Sequence, residues 1–192
     1  MYQIDELIFR TNQSNKLEGH TLEFVRFSEE NHLQIAVKLI EDNLSEPYSL
    51  YTYRYFTSQW PQFFYLAKLD NEFVGVIISK LNLHHRSYDT LFGNKKQLNR
   101  GYIAMLAVDK NFRNLRIGYK LVQLTIEAMK IEHADEIALE ADSSNISALN
   151  LYRSFGFLVD KSMENYYYGG MRAYRLKLWL PNQEEVDTAL KV

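Results

Sequence analysis

The 192 residues contain no cysteine, which removes disulfides, a thiol nucleophile and thiolate metal sites from consideration. That composition is compatible with a reducing compartment. The first residues, MYQIDELIFRTNQ, do not place a basic region before an apolar core, so no signal peptide is read there. No apolar run approaches the roughly 20 residues of a membrane span. Net charge is also small, −2 with a pI of about 6.2. A near-neutral balance favours neither nucleic acid nor an anionic membrane as a direct partner. Only three prolines occur, Pro47, Pro61 and Pro181. Together these absences describe a soluble intracellular protein, expected in the cytoplasm.

What is plentiful is aromatic surface, 14% of residues with fourteen tyrosines, against ordinary hydrophobic (46%) and charged (24%) fractions. The length suits one domain with a substantial core. Residues 1–20 are polar and weakly patterned and read as a variable extension. Leu22 to Phe27 alternates apolar and polar, as a first strand would. Ser28-Glu29-Glu30 has the look of a helix start, a capping serine followed by acids, with Leu33, Ala36, Leu39 and Ile40 as its inner face. Pro47 marks a turn or a first helical position, Ser49 to Trp60 a second short helix, and Pro61 its end. Its neighbourhood is dense in aromatics, which helical core packing accounts for. It does not account for Glu46 and Tyr48 beside a proline in a tight connection, where awkward polar and aromatic content more often lines a site.

Phe63 to Leu69 and Phe73 to Leu81, separated by Asp70-Asn71-Glu72, form a hairpin. Gly75 inside its second strand signals a bulge or a close backbone approach. Asn82 to Arg100 lacks periodicity and reads as a long surface loop. His84-His85 within it has no carboxylate at ligand spacing, so no metal is expected. Further on, Glu136 to Glu140 reads as a short strand and Ser147 to Phe155 as a helix capped from Asp142–Asn145 and ended by Gly156. Phe157 to Met163 and Ala173 to Leu180 read as late strands about a Tyr166-Tyr167-Tyr168-Gly169-Gly170 turn. A polar tail runs from Pro181, covering 182–192.

The centre of the chain is Gly101 to Ile131. The apolar run Tyr102–Val108, bounded by Gly101 and Asp109, suits a strand buried on both faces, although periodicity alone also fits a buried helix. A basic turn follows, then an amphipathic helix with Ile117, Leu121, Leu124, Ala128 and Ile131 on one side and Lys120, Gln123, Glu127 and Lys130 on the other. Strand, basic turn and helix N-terminus together make an anion cradle, because unpaired N–H groups and the helix dipole favour a pyrophosphate there.

The turn Arg113-Asn114-Leu115-Arg116-Ile117-Gly118 resembles the acetyl-CoA pyrophosphate loop of the GNAT N-acetyltransferases. Arg113 and Gly118 match, whereas Arg116 stands where the first glycine is expected. A second block, Asn145-Ile-Ser-Ala148-Leu-Asn150-Leu-Tyr152-Arg-Ser-Phe-Gly156-Phe157, resembles the late N..A..LY...GF block of the same enzymes. The resemblance implies an α/β (mixed αβ) GNAT fold over residues 21–181. Its central mixed, mostly antiparallel sheet is splayed between its fourth and fifth strands and carries helices on both faces. Leu44-Ser-Glu46-Pro47-Tyr48-Ser, Tyr53-Arg54-Tyr55-Phe56, Gln59-Trp60-Pro61, Arg100-Gly101-Tyr102-Ile103, Leu139-Glu140 and Arg175-Leu-Lys-Leu resemble the catalytic subunit of NatC, a protein N-terminal acetyltransferase. That subfamily implies acetyl transfer to chains beginning with Met and a bulky apolar residue. It also implies work beside a large auxiliary subunit and a small Sm-like one at the ribosome.

The resemblance implies roles for single residues. Glu140, or alternatively Glu46, would take the proton from the amine. An α-amine with a pKa of about 7.7–8.0 is on the order of one tenth neutral at pH 7, so the base has little to overcome. Tyr152 would be the general acid beside the thioester sulfur. Backbone N–H groups around Leu106 and Val108 would hold the pantetheine arm and the thioester oxygen. Arg113, Arg116 and the amides of Ile117, Gly118 and Tyr119 would hold the pyrophosphate, and Asn145 the cofactor arm. Leu44, Glu46, Tyr48, Tyr166 and Tyr167 would close over the peptide, with Leu44 and nearby aromatics flooring an apolar pocket. One methylene in such a pocket is worth only about 1–3 kcal/mol, so several bulky side chains would be accepted. The family has an arginine before the paired tyrosines; here the residue is Asn165. A GNAT enzyme of another specificity and a non-catalytic CoA- or partner-binding module remain the alternatives.

Overall fold

The computed structural model describes residues 2–13, 16–17, 19–46, 48–86, 96–167 and 169–180. Among them are five α-helices: α1 (Tyr2–Gln13), α2 (Glu30–Asn43), α3 (Leu50–Gln59), α4 (Ile117–Ile131) and α5 (Ile146–Ser154). The strands are β1 (Lys16–Leu17), β2 (His20–Arg26), β3 (Phe64–Leu69), β4 (Glu72–Arg86), β5 (Lys96–Val108), β6 (Glu136–Asp142), β7 (Leu158–Tyr167) and β8 (Met171–Trp179). They lie in the order β1-β2-β3-β4-β5-β6-β8-β7, every pairing antiparallel except β5 with β6. This is the mixed, mostly antiparallel sheet expected. The fourth and fifth strands of the sequence reading are β5 and β6, because the structure adds β1.

Apolar side chains fill both faces of the sheet. On one, α4 and α5 cover Phe24, Tyr65, Ile77, Ile103, Ile137 and Leu176; on the other, α2 and α3 cover Phe64, Leu66, Val76, Ile78, Met105 and Ala107. In α4 the burial exceeds one stripe, since Val122, Thr125, Ile126 and Met129 are buried beside Ile117, Leu121, Leu124 and Ala128. On its outer side α1 packs on α4 and β2, with Ile4 fully buried and Asp5 bonded to Arg26. The N-terminal stretch that reads as polar extension thus contributes a helix. Close approach of α4 to the sheet explains two glycines. A Cβ on Gly75 would lie 3.1 Å from Ile117 Cγ2, and one on Gly101 would lie 2.3 Å from Met129 Sδ.

Other boundaries move. Glu29, not Ser28, is the N-cap of α2, and the Ser28 amide instead donates to His32 Nδ1 at 3.3 Å. Residues 82–86 and 96–100, read as loop, extend β4 and β5 into a long ladder, with His84 opposite Leu98. The remainder of that loop, 87–95, lies outside the described residues, as do Pro47 and the tail from Pro181.

Two irregularities shape the centre. Along β4 and β5, Ile78 pairs Met105 while Ser79 pairs Ile103, so Ala104 is an extra residue. This bulge turns Ile103 toward α4 and Met105 toward α2 and α3. In addition, β5 and β6 pair only from Arg100–Glu136 to Tyr102–Ala138 and then part. The buried Arg100–Glu136 ion pair clasps the closed end of this gap.

Candidate active site

The gap between β5 and β6 opens into a cavity of about 290 Å³, lined by Ile103 to Leu106 on one side and Glu140 to Asp142 on the other. Leu44, Glu46, Tyr48, Asn145, Tyr152 and Tyr167 complete its wall, so eight of the residues singled out from sequence meet here once Leu106 and Glu140 are included. A second cavity, about 360 Å³, lies on the α3 face between Thr52, Phe56, Tyr102 and Tyr166. It shares Glu46, Tyr48, Ala104, Met105, Glu140 and Tyr167 with the first. Leu44 lines the first cavity and not the second, whose wall includes Phe56 and Thr52.

Glu140 stands where the cavities meet. Its side chain is 5% exposed and takes two short hydrogen bonds: Arg175 Nε donates to Oε1 at 2.7 Å and the Tyr102 hydroxyl donates to Oε2 at 2.5 Å. The register explains the trio. Tyr102 pairs Ala138, two residues before Glu140 on the same face, and Glu140 pairs Arg175. Burial and the bond to Glu140 push the Tyr102 phenol well above its ordinary range. Its own hydrogen bond to Glu140 drives the Arg175 guanidinium further into its charged form. Tyr166 and Tyr167, edge to face at 5.1 Å, are both raised, mainly by burial. Tyr48 is raised by burial and then by Glu46, which places that carboxylate beside the same cavity. Neither Tyr102 nor Arg175 is given a role by the sequence reading. The signal was present in Arg100-Gly101-Tyr102 and Arg175-Leu-Lys-Leu, but nothing in sequence brings them to one carboxylate.

Behind this wall, Lys80 Nζ lies 5.5–5.8 Å from the ring centroids of Tyr55, Phe56, Trp60 and Tyr102. Cation–π attraction of about 0.5–1 kcal/mol per favourable contact ties α3 to β5. Tyr152 stands on the opposite side of the gap, its ring packed edge-on to Phe157 at 5.6 Å and its phenol pushed up by burial. Asn145 is the N-cap of α5, with Oδ1 accepting from the Ala148 amide at 3.0 Å. Its side-chain oxygen therefore serves the helix first.

The basic turn sits apart from both cavities, at the open end of β5. Arg116 is the N-cap of α4 and adopts a left-handed conformation, φ 58°, as does Asn114, φ 68°. That conformation explains the glycine of the family pattern; here an arginine bears a cost of about 1–2 kcal/mol. Arg113 bonds to the Val108 carbonyl and to Asn43 Oδ1, both at 3.3 Å, so it bridges β5 and α2. Ile117 is buried against the core. Tyr119 stacks on Phe155 at 4.3 Å. Gly118 has ordinary helical conformation, and a Cβ there would meet Val108 and Leu151 only at 3.6 and 3.7 Å. Neither torsion nor packing against the protein requires glycine at this position. Among the described residues no group of His, Asp and Glu is arranged to hold a metal, and no helix is long and apolar enough to cross a membrane.

The acetyltransferase (GNAT) family profile matches residues 33–157. N-alpha-acetyltransferase 30 of Homo sapiens is 46% identical over 163 residues, which is 85% of this chain and 42% of that protein. The chain thus spans less than half the length of this relative. N-alpha-acetyltransferase 30 of Schizosaccharomyces pombe is 40% identical over 151 residues, 79% of this chain and 93% of that one. A chain in the crystal structure of the NatC complex bound to Gag peptide and CoA superposes with a TM-score of 0.74 at 38% identity, covering 83% of this chain and 99% of that chain. By profile, sequence and fold alike, the chain belongs to the GNAT acetyltransferase family.

Proposed function

We propose that this chain is a NatC-type protein N-terminal acetyltransferase, moving acetyl from acetyl-CoA to the α-amine of peptides that begin with Met and a bulky apolar residue. The observation that carries this reading is the pair of cavities sharing Glu140 across the parted strands. They form one passage through the sheet, with the amine side toward α3 and the donor side toward α5. Acetyl-CoA would supply the acetyl group as an activated thioester. The cradle fits it: α4 offers its first-turn amides, and Gly118 leaves the space a Cβ would fill. Beyond Tyr102, no strand among the described residues pairs with β5 on its β6 side, so amides of the Leu106–Val108 stretch are available to the arm and the thioester oxygen.

Glu140 accepts the amine proton, directly or through one water. Its two donors hold the carboxylate in place, and Glu46 stands at the same cavity to receive the α-ammonium. Tyr152 has a pKa raised well above 10, while a free thiol sits near 8.5. It therefore keeps its proton and donates a hydrogen bond to the departing sulfur, and the net proton comes from the amine. Phe56, Met105 and Tyr166 give the second cavity its apolar walls, where Tyr48 and Tyr167 close over the peptide.

The proposal includes auxiliary subunits like those implied for NatC, with ribosome association through them, and a cytoplasmic site of action. Leu50, Tyr51 and Tyr55 on α3 are 52%, 85% and 46% exposed and supply apolar surface for a partner. The test is acetyl transfer to peptides beginning Met-Leu, Met-Ile, Met-Phe, Ser-Ala, Met-Asp and Met-Lys, with spermine alongside. Turnover confined to the first three supports the proposal. Preferential turnover of any other peptide, or of spermine, overturns the specificity.

A further inference from the structure

We propose that Arg175 is a positioning residue for the acetyl-transfer reaction, holding the Glu140 carboxylate aimed into the passage; this rests on the reading of Glu140 as the base. Glu140 is nearly enclosed, its side chain 5% exposed, and an enclosed carboxylate needs an opposite charge and hydrogen-bond donors beside it. The groups that face it are Tyr102 from β5, Tyr166 and Tyr167 from β7, Arg175 from β8, and Glu46 across the cavity. The four tyrosine and arginine partners include one cation, Arg175, and Glu46 adds a like charge. The guanidinium is therefore what offsets burial.

Geometry defines how it does so. Arg175 is the register partner of Glu140, so the sheet itself sets their approach. Its Nε occupies Oε1 at 2.7 Å while Tyr102 occupies one direction at Oε2, leaving the remaining Oε2 lone pair for the amine or its water. Loss of Arg175 frees the carboxylate to rotate away from the passage. The arginine side chain is 35% exposed against 5% for the glutamate, so its place can be reached from solvent.

The experiment compares the full chain with Arg175→Ala and Arg175→Gln, in complex with whatever auxiliary subunits turnover requires, with Glu140→Gln as the reference. Both arginine variants are expected to lose tenfold or more in kcat/KM for a Met-Leu peptide with acetyl-CoA affinity unchanged. Millimolar guanidinium restores much of the rate to Arg175→Ala and none to Glu140→Gln. A wild-type rate in either folded arginine variant, or a slow Arg175→Ala that guanidinium does not rescue, beside an inactive Glu140→Gln, overturns the role of Arg175 and leaves that of Glu140. A fully active Glu140→Gln overturns the reading of the base, and the proposal with it.

Discussion

Gly118→Ala separates what the fold needs from what the ligand needs, because its two effects have opposite signs. The residue lies in the first turn of α4 with ordinary helical torsions. Alanine there restricts the unfolded chain and favours the helix by about 0.5–1 kcal/mol. Its Cβ meets Val108 and Leu151 at ordinary contact distances, so no packing cost offsets the gain. For a chain of this size 1 kcal/mol corresponds to about 2–4 °C, so the ligand-free variant should melt about 1–4 °C higher. Under the proposed function, the same methyl stands where a pyrophosphate would approach the amides. Losing one hydrogen bond to a charged group costs about 1.5–3 kcal/mol, a tenfold to hundredfold weakening of acetyl-CoA binding. Thermal melting and titration calorimetry on one preparation read both quantities. A variant that gains stability and binds acetyl-CoA as wild type does would refute the cradle.

At the neighbouring position, Arg116→Gly and Arg116→Ala both remove the charge, but only glycine relieves the left-handed strain. Melting should place the glycine variant about 1–4 °C above the alanine one, after allowing for glycine's greater freedom when unfolded. Tyr152→Phe keeps the buried ring against Phe157 and removes the donor. Steady-state kinetics should show kcat lower by about tenfold to a hundredfold with the melting temperature nearly unchanged. Ile4→Ala empties a fully buried site under α1 and should cost about 2–4 kcal/mol in urea unfolding; a loss below 0.5 kcal/mol, on the order of a surface substitution, would mean α1 is not part of the cooperative fold.

The parts of this molecule that sequence makes legible are those written in local periodicity. The face of α4, the Asp70–Glu72 hairpin and the caps at Ser49 and Asn145 follow from residues within one turn of one another. The helix α1 is less legible, because only Ile4, Leu7 and Ile8 mark its inner side and its burial depends on α4. The outer parts of β4 and β5 pair mainly with each other, and with Leu98 buried but Leu83 exposed they carry no sustained alternation. The bulge at Ala104 has no compositional mark at all. At the site, Glu140 and Tyr152 are readable through motifs. The convergence of Tyr102 and Arg175 on Glu140 is a matter of strand register across some 70 residues, which no local pattern records.

One measurement tests most directly whether the two cavities form a single passage in which transfer occurs. A conjugate joining CoA through an acetyl linker to the α-amine of a Met-Leu peptide can be titrated against CoA and the peptide alone. If the halves occupy adjoining cavities on either side of Glu140, the conjugate should bind on the order of a hundredfold tighter than CoA, since its second contact is intramolecular. The gain should vanish for a conjugate with a Met-Asp peptide. A conjugate that binds no tighter than CoA itself would contradict a continuous passage and, with it, direct transfer at Glu140.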